Sequence, residues 1–272
     1  MAFQTWQVGL DIQNGQICAL GIQRRRNGWQ LRHWWQHALP QDTLTQGRLQ
    51  RPEPLVALLQ RWRKQLPHQI SLRVGFPPQL VLQRQINLPH PELREPERSS
   101  YITAAARRFF PIELEALAID YRQQKEQVYV TATQREAMQS WLACLAQADL
   151  TPQVLELTPA ALYALAETLA LDPAAALVHR LSDHWLWYSA ALAGQRWGWC
   201  SSAQAPDFET LKALHLPEIP SVFYSSAGAS APPENTTPLN PLDATTLKQP
   251  PLPVHAGAFT LAAGLALRPE DV

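Results

Sequence analysis

The sequence has 272 residues, 46% of them hydrophobic and 17% charged, with 24 prolines, 10 tryptophans and three cysteines. Such a composition excludes a largely disordered chain, and three scattered cysteines without a CxxC pair exclude a disulfide framework or a zinc site. No uncharged apolar run approaches the ~20 residues that span a bilayer, and Asp11 interrupts the only stretch resembling a secretory leader. The expectation is a cytoplasmic protein that reaches a membrane only through partners. The formal net charge is zero, yet residues 1–136 hold 18 Lys/Arg against 11 Asp/Glu and residues 137–272 hold 5 against 12. A basic half suits acidic lipid headgroups or nucleic acid; the plainer reading is that its arginines solvate helices and strands.

In chain order, Trp6 to Ile22 reads as a hairpin, with two apolar runs joined at Asn14-Gly15, residues that tolerate the positive φ of a tight turn. Arg24-Arg25-Arg26 forms the next hairpin tip beside Asn27-Gly28, and Trp29 to Ala38 is a third strand. Pro52 and Pro54 precede a short helix with Leu55, Leu58, Leu59 and Trp62 on one face. Ile70 to Phe76 is a fourth strand, halted by Pro77-Pro78.

From Gln79 to about Leu150 the pattern is βαββα. Leu80 to Leu88 is a strand ended at Pro89-His90-Pro91. A helix follows with Ile102, Ala106 and Phe109 inward, stopped by Pro111. Leu117 to Tyr121 and Gln127 to Thr131 form a hairpin across Lys125-Glu126. Thr133 and Glu136 are spaced as a capping box, ahead of a helix burying Met138, Trp141, Leu142 and Leu145. Pro152 to Leu157 is a strand, and Thr158-Pro159 reads as N-cap and first turn of the next helix.

A second lobe starts near Asp172-Pro173, with strands at Ala174 to Arg180, Asp183 to Ala190 and Gln195 to Ser201. Trp185 and Trp187 share a face of one strand, as do Trp197 and Trp199 of the next. Stacked on bases they would bind nucleic acid; as cross-strand pairs they are packing, which is the plainer reading. Residues 225–253 are rich in Ser, Ala, Pro, Asn and Thr and read as a long, mobile loop. His255 to Leu267 is an Ala/Gly-rich helix suited to close backbone packing. No internal sequence repeat is evident.

Signatures of catalysis are missing: there is no GxxxxGK[ST], HExxH or GxSxG, and His33 and His37 lie on a strand rather than at helical metal-ligand spacing. The opening hairpin resembles the strand–turn–strand that carries the first phosphate loop of the actin and sugar-kinase ATPases. That resemblance implies Asp11, Asn14 and Gly15 as candidate nucleotide residues, a strand-end carboxylate and a small turn that could meet metal and phosphate. Gln13 stands where a glycine would let the backbone approach. The matching stretch of the second lobe, Leu177 to Asp183, has His179 in place of an acid and Arg180-Leu181 in place of small residues. Ala227-Gly228-Ala229 is a poor match to an adenosine-binding turn.

Gly9-Leu10-Asp11-Ile12, Arg84-Gln85-Ile86-Asn87-Leu88-Pro89, Arg107 to Ile112, Asp120-Tyr121, Glu156 to Ala160 and Gly264 to Arg268 occur in an order that resembles the PilM family, the actin-like, FtsA-related component of type IV pilus assembly. In the actin and sugar-kinase ATPases the opening hairpin carries the first phosphate loop. The resemblance implies an α/β, actin-like (FtsA/PilM-type) two-lobed ATPase fold with an inserted βαββα subdomain. Its divisions would be 1–78 and 151–172 for the first lobe, 79–150 for the insertion, and 173–224 for a reduced second lobe. A low-complexity loop at 225–254 and a C-terminal helix at 255–272 would follow. It further implies ATP with magnesium as the family cofactor and the cytoplasmic tail of a PilN-like (HofN-like) inner-membrane protein as partner.

Gln13, His179 and Leu181 set the expectation of a degenerate nucleotide site, no bound cofactor and no enzymatic activity. The short second lobe looks most like enterobacterial members implicated in using external DNA as a nutrient. Three readings follow: a protein-binding adaptor of a pilus-like DNA-uptake apparatus, a functional ATP-binding actin-like protein, or a direct DNA binder. The adaptor reading places the partner in the cleft between residues 79–150 and the first lobe, and expects no specific nucleic-acid binding.

Overall fold

A single left-handed residue, Gly15 at φ +82°, returns the chain from β1 (Trp6–Gln13) into β2 (Gln16–Arg25). Asn14 keeps negative φ, so the turn is not the doubly primed one the Asn-Gly pair allows. The computed structural model describes residues 5–90, 93–109, 113–124 and 127–269. β2 pairs with β3 (Gly28–Ala38), and a two-strand ribbon follows, β4 (Leu44–Thr45) and β5 (Arg48–Leu49), turned by Gln46 and Gly47, both at positive φ. Helix α1 (Pro52–Arg63) buries Leu55, Val56, Leu59 and Trp62; Leu58 is only half-buried. Strand β6 (Ile70–Phe76) then lies parallel to β1.

The insertion follows: β7 (Val81–Asn87), α2 (Glu97–Phe109), β8 (Leu117–Gln124) and β9 (Gln127–Gln134), forming a three-stranded sheet in the order β7-β9-β8. Ile86, Ile102, Ala106, Val128, Val130 and Ala132 form its own small core. The turns expected at Pro91, at Pro111 and at Lys125-Glu126, and the side chain of Phe109, lie outside the described residues.

Two expected caps are corrected. Thr133 stays in β9 and donates its hydroxyl to the Leu80 carbonyl, while Gln134 precedes α3 (Arg135–Ala146) without a side-chain cap. Thr158 is already the first residue of α4 (Thr158–Thr168), preceded by β10 (Val154–Leu157), so Pro159 takes the second helical position. In both places the chain passes from strand to helix with no intervening loop, which leaves no room for a separate capping residue.

The first-lobe sheet has the order β10-β6-β1-β2-β3. The second lobe repeats it. There β11 (Ala176–Arg180), β12 (His184–Ser189) and β13 (Trp197–Ser201) form an antiparallel meander. After α5 (Phe208–His215), β14 (Val222–Ser226) and β15 (Thr237–Pro238) join in parallel, giving β13-β12-β11-β14-β15. Each sheet therefore reads 3-2-1-4-5 in its own strand numbering, with the same sense of pairing. The topology is duplicated although the sequence shows no repeat, and it is the two-lobed α/β actin-like architecture.

Residues 225–253 are not a free loop. Ser225 and Ser226 complete β14, Leu242 and Ala244 are buried, and the stretch then crosses to the first lobe. There Thr246 N–H donates to the Trp29 carbonyl at 2.9 Å, and Leu31 N–H donates to the Leu247 carbonyl at 2.9 Å. Trp34 Nε1 donates to the Pro251 carbonyl at 2.8 Å. Proline-rich composition here marks an extended strap rather than mobility, because proline fixes φ and still accepts through its carbonyl.

The predicted C-terminal helix splits into a 3-10 turn, Ala256–Phe259, and α6 (Thr260–Leu267), whose residues are all buried. α6 lies against β1 and α4 at backbone distance. A Cβ on Gly9 would sit 2.0 Å from the Ala262 carbonyl oxygen, and one on Gly264 would sit 2.1 Å from that of Ala161. Small residues at these crossings are what allow a helix to pack on both sides at once.

Candidate functional site

Asp11 ends up inside. It faces Cys18 across the β1–β2 ladder, is 2% exposed, and accepts a 2.7 Å hydrogen bond from Gln13 Nε2. Burial raises its pKa to about 7, with the Gln13 hydrogen bond opposing the shift. Asn14 and Gly15 form the turn beyond it, and Ser182 Oγ of the second lobe reaches the Asn14 carbonyl at 3.5 Å. The two turns that would face a phosphate chain thus face each other.

On the second-lobe side His179 is 1% exposed, its Nδ1 2.8 Å from Ser225 Oγ, and burial lowers its pKa to about 3. Arg180 covers the Trp185 ring at 4.7 Å, and Asp183 accepts from His184 Nδ1 at 2.6 Å. Ala227-Gly228-Ala229 follows β14, with Gly228 N–H turned back to Ser226 Oγ at 3.2 Å.

The tryptophan pairs share faces as their spacing requires. Trp185 is fully buried, with Nε1 donating to the Ala205 carbonyl at 2.7 Å, and Trp187 stacks on His215 with centroids 4.4 Å apart. Neither offers a free face for a base.

A concavity lies elsewhere, in a cleft of about 560 Å³ where the insertion meets both lobes. Its walls include Ala118 to Arg122 of β8 and Leu155 to Leu157 of β10, each consecutive along its strand. Because alternate residues of a strand point to opposite faces, consecutive lining residues mean that the strand presents its edge. β8 and β10 are the outer strands of their sheets, and among the described residues nothing pairs with their free edges. Two open edges therefore bound one cleft.

Tyr121, Tyr129, Tyr163, Tyr188 and Trp197 supply aromatic surface to it, and Tyr163 lies 5.2 Å from Tyr188, centroid to centroid. A neighbouring hollow of about 480 Å³ shares Trp197 and adds Trp187 and Trp199. Two backbone amides on the edge strands are held by adjacent carboxylates. Asp120 accepts from Tyr121 N–H at 2.8 Å, and Glu156 Oε1 accepts from Leu157 N–H at 3.0 Å.

Glu156 is the polar centre of the cleft. It is 5% exposed, and its Oε2 accepts from Arg122 Nη2 of the insertion at 2.9 Å and from Arg268 Nε beyond α6. A buried carboxylate is tolerated because two guanidiniums and an amide satisfy it.

The family resemblance implied a partner cleft between the insertion and the first lobe, and no residue within it was named. The signal was present: Asp120-Tyr121, Glu156 to Ala160 and Gly264 to Arg268 are the separated motifs that carried the family resemblance. The fold brings Arg122, Glu156 and Arg268 together. What could not be read was the contribution of the second lobe through Tyr188 and Trp197.

Comparison with known proteins agrees with this architecture. The model of the family described as "Type IV pilus assembly protein PilM" matches residues 9–179. The DNA utilization protein HofM of Escherichia coli (strain K12) is 29% identical over 271 residues, covering 98% of each chain. Among solved structures, the PilM–PilN type IV pilus biogenesis complex contains a chain superposing with a TM-score of 0.72 at 18% identity, covering 98% of both. The cytoplasmic domain of EpsL, an inner-membrane component of the type II secretion system of Vibrio cholerae, superposes with a TM-score of 0.59 at 11% identity, covering 96% of this chain and 94% of that one. The duplicated sheet topology and the family match over residues 9–179 lead to one assignment: the chain belongs to the PilM family of type IV pilus assembly proteins.

Proposed function

We propose that this protein is a cytoplasmic adaptor of a type IV pilus-like DNA-uptake apparatus, needed for use of extracellular DNA as a nutrient. In this reading it holds the extended cytoplasmic tail of a PilN-like (HofN-like) inner-membrane protein, and that tail keeps it at the membrane. The observation that carries the reading is the aromatic-lined cleft between the free edges of β8 and β10. An extended segment can add to a strand edge through its own backbone, with alternate side chains dropping into pockets. Such binding requires no catalytic group. The occurrence of a PilM-type chain in a complex with PilN supports the choice of partner.

The test is titration of a synthetic peptide, the cytoplasmic N-terminus of the PilN-like protein from the same genome, against the purified protein. Saturable binding is expected, weakened at least about tenfold by Tyr163→Glu, which alters an exposed cleft side chain without emptying the core. No binding, or equal binding by the variant, overturns the reading.

The same proposal includes a vacated nucleotide function: no ATP, no magnesium and no turnover. The residues do not fit a magnesium–triphosphate group. The Asp11 carboxyl is buried and engaged by Gln13, Ser182 reaches the opposing turn, and Arg180-Leu181 stand where a backbone cradle would need small residues. Isothermal titration with Mg-ATP is expected to give no saturable heat; a low-micromolar constant would refute this part.

A further inference from the structure

The hairpin tip and the end of α1 meet at one pole of the first lobe. Gln7 pairs with Ile22 and Trp6 with Ile70, so the β2–β3 tip, the start of β1 and the start of β6 lie together. α1 ends on the flank of this pole: Trp62 stacks on Trp35 with centroids 5.3 Å apart and donates to His33 Nε2 at 3.1 Å, several residues along β3 from the Gly28 turn. The exposed cations gathered there are Arg24, Arg25, Arg26, Arg32, Arg61 and Lys64. Within residues 5–78 the exposed acids, Asp42 and Glu53, belong to the other end of α1. The acids near the pole are already engaged, Asp149 by Arg63 at 3.7 Å and Asp243 by Lys248 at 3.0 Å.

Among the described residues no acid forms an ion pair with these six cations, and the cluster is backed by aromatics. Arg24 lies over the Trp29 ring at 5.1 Å and Arg32 over Trp6 at 5.3 Å. We propose that this pole is a docking surface for an anionic lipid membrane. Clustered arginines are drawn to acidic headgroups, and half-buried tryptophans beneath them suit the polar–apolar boundary at that depth. A single-stranded nucleic acid would instead need free aromatic faces, and at this pole Trp6 and Trp29 are covered by their arginines.

The patch does not depend on the cleft, but it orients it. β6 begins at Ile70 beside the patch and ends at Phe76 in the cleft wall, ~20 Å away at the rise of an extended strand. Two weak attachments, lipid on this pole and a captured tail in the cleft, reinforce one another when the tail is long enough to span from the cleft back to the bilayer.

The test is co-sedimentation of the full chain, without any partner, with vesicles of phosphatidylcholine alone and with about one-third phosphatidylglycerol. Binding is expected only to the acidic vesicles and is expected to fall with added salt. At roughly fivefold per arginine, Arg24→Ala/Arg25→Ala/Arg26→Ala should lose on the order of 100-fold, while Arg107→Ala/Arg108→Ala on α2 should bind like wild type. Unchanged thermal melts establish that both variants are folded. Three outcomes overturn the proposal: no binding to acidic vesicles, an equal loss in the α2 control, or a short DNA duplex bound as tightly with the same arginine dependence. Since no peptide is present, none of these bears on the cleft.

Discussion

Gly264→Ala is expected to lower stability by about 3 kcal/mol or more, enough to remove most soluble protein, although it adds a single methyl group in a helix. On propensity alone the change would be favourable by nearly 1 kcal/mol. Packing decides the sign. The new Cβ would lie 2.1 Å from the Ala161 carbonyl oxygen and 2.7 Å from its carbon, both backbone atoms that no rotamer change can move. α6 cannot retreat, because its other side meets Gly9 of β1 at the same backbone distance. Gly228→Ala is the control: nothing lies within 4 Å of its Cβ, and it should melt within about 0.5 kcal/mol of wild type. A Gly264→Ala protein that melts with the control would show that the α4–α6 crossing can open.

That crossing was legible in part. The Ala/Gly-rich run at the end of the chain announced close backbone packing, and Gly9 and Gly264 stood in the motifs that carried the resemblance. The strands of the first-lobe sheet and β11 to β13 were readable as apolar runs between turn signals, even where β1, β6 and β12 bury both faces. In contrast, α5, β14 and β15 were not read. The caps at Thr133 and Thr158 were misplaced because a β-strand runs directly into each helix, and local spacing cannot distinguish a cap from a strand end. The strap at residues 240–251 was missed for another reason. Its order comes from backbone hydrogen bonds to Trp29 and Leu31 and from the Trp34 indole donating to the Pro251 carbonyl, 217 residues away, and its own residues show no period.

The sites divide similarly. A cleft beside the insertion was implied by the family resemblance, but its free edges depend on sheet order, which long-range pairing determines. Gln13 in the first hairpin and His179 in the second lobe set the expectation of a degenerate nucleotide site. They did not signal that the Gln13 amide would turn onto Asp11, or that Ser182 would reach Asn14, since both need the folded geometry.

Asp11→Asn should therefore stabilise the protein at neutral and alkaline pH. In the folded state the Asp11 carboxyl titrates near about 7, raised from 3.8 by burial, whereas in the unfolded chain it titrates near its ordinary value. Between those values the folded protein holds a proton that the unfolded chain has lost, so this group's stabilising contribution is complete below about pH 4. It declines as pH rises through the window and levels off above about pH 7. The rise from 3.8 to about 7 corresponds to ~4 kcal/mol lost across this window. Asparagine keeps the carbonyl that accepts from Gln13 Nε2 and cannot ionise, so it removes the penalty with little change in packing.

His179 contributes the opposite slope. Its folded pKa is lowered to about 3, first by burial and then by its neighbours His184 and His255, so the unfolded chain protonates below about pH 6.5 while the folded protein does not. Wild-type stability alone mixes the two effects. The measurement is denaturant unfolding of wild type and Asp11→Asn from pH 4 to pH 9, plotted as the difference, in which His179 cancels. That difference should be near zero at pH 4 and rise to several kcal/mol in favour of asparagine by about pH 7.5. A flat difference, or one that favours aspartate at high pH, would mean that the carboxylate is ionised and compensated in the folded state, as a metal-holding residue would be.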